Sequence, residues 1–452
     1  MKMLQQEDIR WIHDVARGVD PAGRVFVCDG DYYRAIFPGA VPFVTSLFDK
    51  GIVDRLVEKG LLIDTVMTDH QVDGFGLVLK HRRVPFLTRG NEWNRSFFLD
   101  AARMVIDLNL ELLKDNLCTI DYHWQNVQQK SNCSPVWIDF GSICPLTERH
   151  SHVHQEFFQY FVHPLYVFAR SASLGNVARA LTGNYHLNAL EFHDLFGGTM
   201  EFNFPCGDRR TGLEVMKAWL DNLSFPSLQS EWSEYFTEDT LRQMSSGDPS
   251  LLAPAGHVGR AAIVSKILNV KRPAKIIDLG CNAGLFSLMG ASTGADVYSC
   301  DADEGALEYF YRILKECRRP VSVTLAVRDI CDPPHKSSPV AGDMVLALAI
   351  THHLFFTRRY TIAGMARILS SYSTHMLITE FMPDGLGRPG NPVPNPLPED
   401  YTLDNFRNAF SDYFRRIETI EYDSGMSRRI FIVCVDRRRT AEASQPGGPP
   451  AQ

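Results

Sequence analysis

The sequence lacks the patterns that mark several large classes of protein. None of its ten cysteines lies in a Cys-x-x-Cys pair, and several of them, such as Cys281, Cys300 and Cys434, fall inside apolar runs. Scattered cysteines of this kind are typical of reduced, buried thiols rather than of a disulfide framework. No apolar run reaches the ~18 residues that a membrane helix requires, and residues 1–10 show no signal-peptide pattern. We therefore expect a soluble, cytoplasmic protein without a membrane partner.

Long basic tracts are also missing. The net charge is -7 at pH 7, and the only basic block of note, at residues 437–439, is short and follows the last predicted strand. A chain without a basic, aromatic surface has little attraction for a nucleic-acid polyanion. The sequence therefore predicts no nucleic-acid partner.

The length and composition indicate two domains. The 452 residues exceed one ordinary core, while 45% hydrophobic and 22% charged residues are usual for globular proteins. We place the boundary near residue 230, which gives domains at 1–230 and 231–439. Residues 440–452 contain almost no large apolar side chain, so they are predicted to form a disordered tail.

Strand and helix patterns alternate through the second domain, which is typical of a mostly parallel sheet wound with helices, a Rossmann-like α/β fold. Two last strands around Gly425 predict an antiparallel terminal hairpin on that sheet. The predicted strands are residues 275–279, 295–300, 321–327, 343–350, 375–380, 417–422 and 429–435. The predicted helices are residues 285–292, 304–316 and 361–371.

The first domain is predicted to begin with a hairpin and to continue with helices. The turn sequence Asp-Gly-Asp at residues 29–31 separates the two hairpin strands. The predicted strands are residues 24–28, 32–37 and 75–81, and the predicted helices are residues 43–59, 97–116 and 211–247.

A glycine-rich turn follows the first strand of the second domain. From Asp278 to Gly284 the chain reads Asp-Leu-Gly-Cys-Asn-Ala-Gly. Gly280 permits a tight turn and Gly284 permits close packing of helix on strand. Asn282 stands where a glycine is usual, and asparagine tolerates a left-handed backbone better than most residues. The turn predicts a site for an adenine nucleoside at the carboxyl ends of the strands.

Acidic residues follow the next two strands. Asp301 lies ~20 residues beyond the glycine turn, where a carboxylate can accept both ribose hydroxyl protons, and Asp329 is placed to accept from an adenine amino group. Each of them is alternatively a helix N-cap or turn residue. The carboxylate of Asp278 favours a cationic, methionine-like ligand and would repel the pyrophosphate of NAD.

The segment Asp-Leu-Gly-Cys-Asn-x-Gly resembles the first motif of class I S-adenosylmethionine-dependent methyltransferases. The terminal hairpin resembles the antiparallel seventh strand of that fold. The resemblance covers residues 231–439 and implies a seven-stranded, mostly parallel sheet with S-adenosyl-L-methionine as cofactor. The cofactor-binding residues that it implies are Asp278, Gly280, Asn282, Gly284, Asp301 and Asp329.

Candidate catalytic residues follow the fourth and fifth strands. His352 and His353 come after the central strand, where a neutral imidazole can remove a proton from a hydroxyl or an amine. Either histidine is alternatively a helix cap or a packing residue. Glu380 ends the next strand, and its alternative role is a structural partner of an arginine or a backbone amide. Three alternating histidines at residues 150–154 have no nearby cysteine or carboxylate cluster, so we predict no metal site.

Two motifs in the first half resemble those of aminoglycoside-phosphotransferase-type kinases. Asp121 precedes Asn126 by five residues, and an Asp-Phe-Gly sequence begins at Asp139. In that resemblance Asp121 would be the base, while Asn126 and Asp139 would hold magnesium. No phosphate-covering glycine loop is evident, and Lys80 lies too close to the first motif to be the expected lysine. We predict a reduced, degenerate kinase-like α+β domain that lacks phosphotransfer.

Together the two halves resemble a bacterial family of nodulation-protein-like methyltransferases with an N-terminal kinase-like module. The chain departs from that pattern at His123, where proline is common, and in a short loop before Asp343. Because no basic, aromatic surface is evident, we expect methyl transfer to an oxygen, or else a nitrogen, of a small-molecule acceptor, such as a secondary metabolite or a glycan precursor. A bifunctional methyl- and phosphotransferase and a nucleotide-binding regulatory pseudoenzyme are the alternatives.

Overall fold

A computed structural model of the chain describes residues 2–12, 20–147, 156–182, 187–197, 209–228, 258–332, 340–386, 397–423 and 428–438. The chain divides into two compact units, Met1–Gln229 and Ser230–Gln452, which we call the N-terminal and C-terminal units. Within the described ranges, no helix is long and apolar enough to span a bilayer. The histidines at 150–154 and the tail at 440–452 lie outside the described residues.

An antiparallel five-stranded sheet opens the N-terminal unit. The strands in this part of the chain are β1 Lys2–Met3, β2 Arg10–Trp11, β3 Gly23–Cys28, β4 Asp31–Ile36, β5 Thr65–Met67, β6 His70–Gln71 and β7 Leu77–His81. Their order in the sheet is β2-β3-β4-β7-β5, and β1 pairs separately with β6. The β3–β4 hairpin turns at Asp29 and Gly30, whose φ angles of 52° and 82° suit a two-residue hairpin loop. The predicted hairpin is confirmed.

The helix predicted at residues 43–59 is in fact two helices. These are α1 Val41–Asp49 and α2 Ile52–Glu58. Gly51 between them has a φ of 65°, and a residue in this left-handed conformation ends a helix. The prediction of one continuous helix was wrong because the local signal at Gly51 outweighs the apolar pattern on both sides.

A long buried helix, α3 Arg95–Leu112, forms the core of the rest of this unit. Around it lie β8 Leu117–Thr119, β9 Val127–Lys130, β10 Ser134–Trp137, β11 Ile143–Pro145, α4 His163–Arg170, α5 Gly175–Leu181, α6 Ala189–Phe196 and α7 Arg209–Asn222. The helix predicted at 211–247 therefore ends at Asn222, and residues 229–247 lie outside the described part. Two antiparallel ribbons, β8–β11 and β9–β10, flank the two kinase-like motifs.

A seven-stranded sheet forms the centre of the C-terminal unit. Its strands are β12 Lys275–Leu279, β13 Asp296–Asp301, β14 Val323–Val327, β15 Gly342–Ala347, β16 Ser373–Phe381, β17 Phe414–Asp423 and β18 Arg428–Arg437. The helices are α8 Val258–Lys271, α9 Leu285–Ser292, α10 Glu304–Glu316, α11 Ile362–Ser371 and α12 Leu403–Ser411. The strand order is β14-β13-β12-β15-β16-β18-β17. The prediction of a Rossmann-like α/β fold is confirmed.

The antiparallel terminal hairpin predicted from the sequence is present, as β17 and β18. β18 runs antiparallel to both of its neighbours, β16 and β17. It is inserted between them, so β17 forms the edge and runs in the direction of the parallel strands. Only one strand of the hairpin is therefore antiparallel to the rest of the sheet.

The strand order reverses beside β12. β13 and β14 lie on one side of it, whereas β15 and β16 lie on the other. In open α/β sheets, ligands bind beyond the carboxyl ends of the strands at such a reversal. The glycine-rich turn after β12 lies at this point.

Candidate active site

Three left-handed residues shape the turn between β12 and α9. The φ angles of Gly280, Asn282 and Gly284 are 68°, 49° and 83°. The backbone amides of Gly280 and Cys281 both donate to the carbonyl oxygen of Cys300, at 2.9 and 3.1 Å. These bonds hold the turn against the end of β13. Asn282 adopts the left-handed conformation expected of it, and its Oδ1 accepts from the amide of Ala283 at 2.6 Å.

Asp301 lies directly beside this turn. Its Oδ2 accepts from the amide of Asn282 at 2.9 Å, and its Oδ1 accepts from the amide of Asp303 at the same distance. Burial raises the pKa of Asp301 despite these two amide donors. A carboxylate oxygen has two acceptor positions, so both oxygens can still accept from a ligand.

Asp278 lies beneath the turn, and the structure gives it a protein partner. Its Oδ2 accepts from the Ser287 hydroxyl of α9 at 2.6 Å, and Ser287 in turn accepts from Ser299 at 2.8 Å. Complete burial raises the pKa of Asp278 to about 7, with the nearby Asp301 contributing and Arg260 opposing. The sequence suggested a contact with the ligand, whereas the observed bond ties β12 to the first turns of α9.

We predict that Asp278 makes the C-terminal unit less stable as the pH rises. The folded chain holds the extra proton between the ordinary pKa of about 4 and the folded value of about 7. Stability from this group is therefore present at low pH and is lost across that range. Asp278→Asn, which keeps an acceptor for Ser287, should gain on the order of 2–4 kcal/mol relative to wild type between pH 4 and pH 7. Urea unfolding followed by circular dichroism measures this, and equal pH slopes would contradict it.

Asp329 lies just beyond β14 and is held by two protein groups. Its Oδ2 accepts from the guanidinium of Arg358 at 2.6 Å, and its Oδ1 accepts from the amide of Cys331 at 3.0 Å. Burial alone would raise the pKa of Asp329, but these two donors together lower it. Asp329 is therefore an ionised acceptor at the same edge of the sheet as Asp301.

The two histidines lie on a short helical segment and not at the end of a strand. β15 ends at Ala347, three residues earlier than predicted, and Ala349 has a left-handed φ of 56°. Residues 351–357 are helical. His352 is buried and His353 is half-buried, with 4.2 Å between their ring centroids. His353 is therefore the more accessible of the two imidazoles.

Glu380 is fully buried, with 0% of its surface exposed. Its Oε2 accepts from the amide of Ala349 at 2.6 Å and from Arg260 and Arg429 at 3.3 Å each. Its Oε1 accepts from the hydroxyl of Tyr422 at 3.1 Å. The sequence predicted a catalytic role for Glu380 at the rim of the site. A carboxylate enclosed by these donors fits the alternative role instead, that of a structural partner of arginines and a backbone amide. The sequence reasoning missed the partners, since no motif marks Arg260, Arg429 or Tyr422.

Comparison with known proteins gives similar sequences at low identity. No protein-family model matches the chain. The chain is 25% identical to nodulation protein NoeA of Rhizobium meliloti (strain 1021), over 92% of this chain and 91% of that protein. It is also 28% identical over 98 residues to ribosomal protein L11 methyltransferase of Helicobacter hepaticus, which covers 21% of this chain and 27% of that one. Over those 98 residues the chain is therefore similar in sequence to a methyltransferase.

A solved structure is also similar to part of the chain. It is magnesium protoporphyrin IX methyltransferase (ChlM) from Synechocystis PCC 6803 with bound S-adenosylhomocysteine, at 19% identity and a TM-score of 0.32. The match covers 45% of this chain and 97% of that one. Among the residues that the structure describes, no group of three or more His, Cys, Asp or Glu residues is arranged to hold a metal ion.

The two motifs of the first half that resemble kinase motifs lie close to one another in the N-terminal unit. Asn126 donates through Nδ2 to the carbonyl oxygen of Asp121 at 3.2 Å, and the carbonyl oxygen of Asn126 accepts from the amide of Ile138 at 2.8 Å. Asp139 accepts through Oδ1 from the amide of Gly141 at 3.1 Å. These hydrogen bonds show Asn126 and Asp139 fixing the two loops. That structural role is an alternative to binding a metal ion.

A buried arginine occupies the position next to Asp139. The guanidinium of Arg34 on β4 pairs with Asp139 at 2.8 Å and also pairs with Asp20. Only 4% of the Arg34 side chain is exposed, and burial lowers its pKa, although Asp139 opposes this effect. Lys80 on β7 pairs with Asp31 instead. No sequence motif pointed to Arg34, because its partners lie 14 and 105 residues away along the chain.

Proposed function

We propose that the chain is an S-adenosylmethionine-dependent methyltransferase, which transfers a methyl group to an oxygen, or else to a nitrogen, of a small-molecule substrate. The bond between the Asn282 amide and the Asp301 carboxylate carries this proposal. This bond fixes the Asp301 carboxylate beside the glycine turn, at the carboxyl edge of the sheet. Each of its oxygens can still accept a further hydrogen bond. We assign Asp301 to the two ribose hydroxyls of the cofactor and Asp329 to its adenine amino group.

The remaining residues of the turn suit an adenine nucleoside with a methionine-like side chain. The left-handed backbone of Gly280 and Asn282 bends the chain away from the space above β12. Asp278 orders α9 through Ser287 beneath that space. The net charge of -7 supports a small molecule rather than a nucleic acid as acceptor.

Removal of the Asp301 carboxylate tests the cofactor site. Calorimetry on the full chain should show binding of S-adenosylmethionine and S-adenosylhomocysteine. Asp301→Ala should weaken both by about 1–3 kcal/mol, the loss expected when hydrogen bonds to a charged acceptor disappear. Asp303→Asn is the matched control, because it removes a charge two residues away and keeps the cap of α10. No heat with either ligand, together with clear heat from NAD, would overturn the proposal.

We propose that one of the two histidines removes the acceptor proton, with His353 favoured by its exposure. Methyl transfer is an in-line displacement that depends mainly on alignment, so a base contributes at the lower end of the usual range, about 100-fold. His353→Gln should therefore lower turnover about 100-fold and leave S-adenosylhomocysteine affinity unchanged. Full turnover from both His352→Gln and His353→Gln between pH 6 and pH 9 would make the histidines structural.

We also propose that the N-terminal unit is kinase-like and does not transfer phosphate. The Arg34–Asp139 pair supports this, because a fixed guanidinium neutralises the carboxylate that would otherwise hold magnesium. Phosphoryl transfer also needs a lysine and a covering loop for the phosphates, and Lys80 is engaged with Asp31.

A further inference from the structure

We propose that Glu380 is a positioning residue, which holds residues 348–351 against the cofactor turn. This inference rests on the proposed cofactor site. It replaces the catalytic role suggested by the position of Glu380 after β16. A carboxylate with no exposed surface does not reach an acceptor, but it sets the path of the chain that carries the histidines.

Two bonds from Glu380 fix that chain segment. The side chain accepts from the Ala349 amide at 2.6 Å, and the backbone carbonyl accepts from the Thr351 hydroxyl. Ala349 has a φ of 56°, a conformation that an alanine adopts only when its surroundings impose it. The charge-assisted bond from its amide to Glu380 is the contact that stabilises this conformation.

The fixed segment lies directly on the glycine turn. A Cβ atom placed on Gly280 would come within 2.6 Å of Cγ2 of Ile350. Ile350 is therefore in close contact with the Cα of Gly280, and His352 and His353 follow it after one residue, Thr351. A shift of residues 348–351 would change both the wall of the cofactor turn and the position of the histidines.

Glu380 is itself anchored from three other elements of the C-terminal unit. Arg260 comes from α8, Tyr422 from β17 and Arg429 from β18. These donors fix the carboxylate on both oxygens, so it presents a rigid acceptor to the Ala349 amide. Helix α8 and the terminal hairpin are thus linked to residues 348–351, and through them to the cofactor turn, by the side chain of Glu380.

The test compares Glu380→Gln with Leu377→Ala by S-adenosylhomocysteine calorimetry, well below the unfolding midpoint of each protein. Leu377 lies on the same strand and is equally buried, but it has no contact with residues 348–351 among the hydrogen bonds described. We expect Glu380→Gln to weaken binding about tenfold, because a charged acceptor is lost. Leu377→Ala should bind like wild type despite a lower midpoint.

Thr351→Val serves as a second variant, since it removes only the hydroxyl that donates to the Glu380 carbonyl. We expect it to weaken binding about threefold, as for a single neutral hydrogen bond. If Glu380→Gln does not fold, the result for Thr351→Val decides. If the folded Glu380→Gln or Thr351→Val variant binds S-adenosylhomocysteine as tightly as wild type, the positioning role of Glu380 is wrong, while the proposed function stands. Failure of the wild-type chain to bind S-adenosylhomocysteine would instead overturn the proposed function, and this inference with it.

Discussion

Gly284→Ala is expected to destabilise the C-terminal unit by about 2–5 kcal/mol, with loss of S-adenosylhomocysteine binding. Two separate costs add up at this position. Gly284 has a φ of 83°, which costs an alanine about 1–2 kcal/mol. An added Cβ would also lie 2.1 Å from the buried ring of Phe310 on α10, so the helix or the turn must move.

Gly294→Ala separates these two costs. Gly294 has a φ of 91°, but no atom lies within 4 Å of an added Cβ. It therefore incurs only the backbone cost of about 1–2 kcal/mol. Five of the six tryptophans precede residue 230, so tryptophan emission follows the N-terminal unit, and circular dichroism follows both. Equal losses of unfolding free energy in Gly284→Ala and Gly294→Ala would show that the Phe310 ring moves aside with little loss of stability.

Arg34→Met is expected to destabilise the N-terminal unit by about 3–5 kcal/mol, the usual effect of breaking a buried ion pair. The variant fills a similar volume but leaves the carboxylates of Asp20 and Asp139 together without a counter-charge. Tryptophan emission during urea unfolding measures the loss. Asp64→Asn breaks the exposed pair with Arg82 and should change little, because surface ion pairs contribute little.

Neutralising all three groups gives the complementary result. Arg34→Met combined with Asp20→Asn and Asp139→Asn should recover most of the stability, since replacing a whole buried cluster is often neutral. In the same proteins, ATP consumption with magnesium and cell extract should remain at background. Consumption by the wild type that disappears in Asp139→Asn would establish a working kinase and favour the bifunctional alternative.

Periodicity and turn chemistry predicted most of the C-terminal unit because both are local. β12, α9 and α10 begin and end where the sequence placed them. β15 was predicted too long, because Leu348 and Ile350 continue the apolar pattern while the backbone turns at Ala349. The cause of that turn is Glu380, 31 residues further along the chain, and no local pattern reveals such a contact.

The site was predicted unevenly for the same reason. The glycine turn and Asp301 follow from spacing within one βαβ unit. The roles of Asp278 and Glu380 depend on their burial and on their hydrogen-bond partners, which spacing does not reveal. These partners are Ser287 for Asp278, and Arg260 and Arg429 for Glu380. Arg34 could not be predicted from the sequence, because its ion pair forms only when the fold places β4 beside the Asp-Phe-Gly loop.

The insertion of β18 between β16 and β17 has a consequence for synthesis on the ribosome. β18 is the last strand of this sheet to be made, yet it occupies an interior place. Until it emerges, β16 and β17 have no partner between them, and β16 presents an open edge able to recruit other chains. Glu380 on β16 also lacks its Arg429 donor during this interval. Cofactor binding should therefore be acquired only after β18 has been synthesised and has completed the sheet.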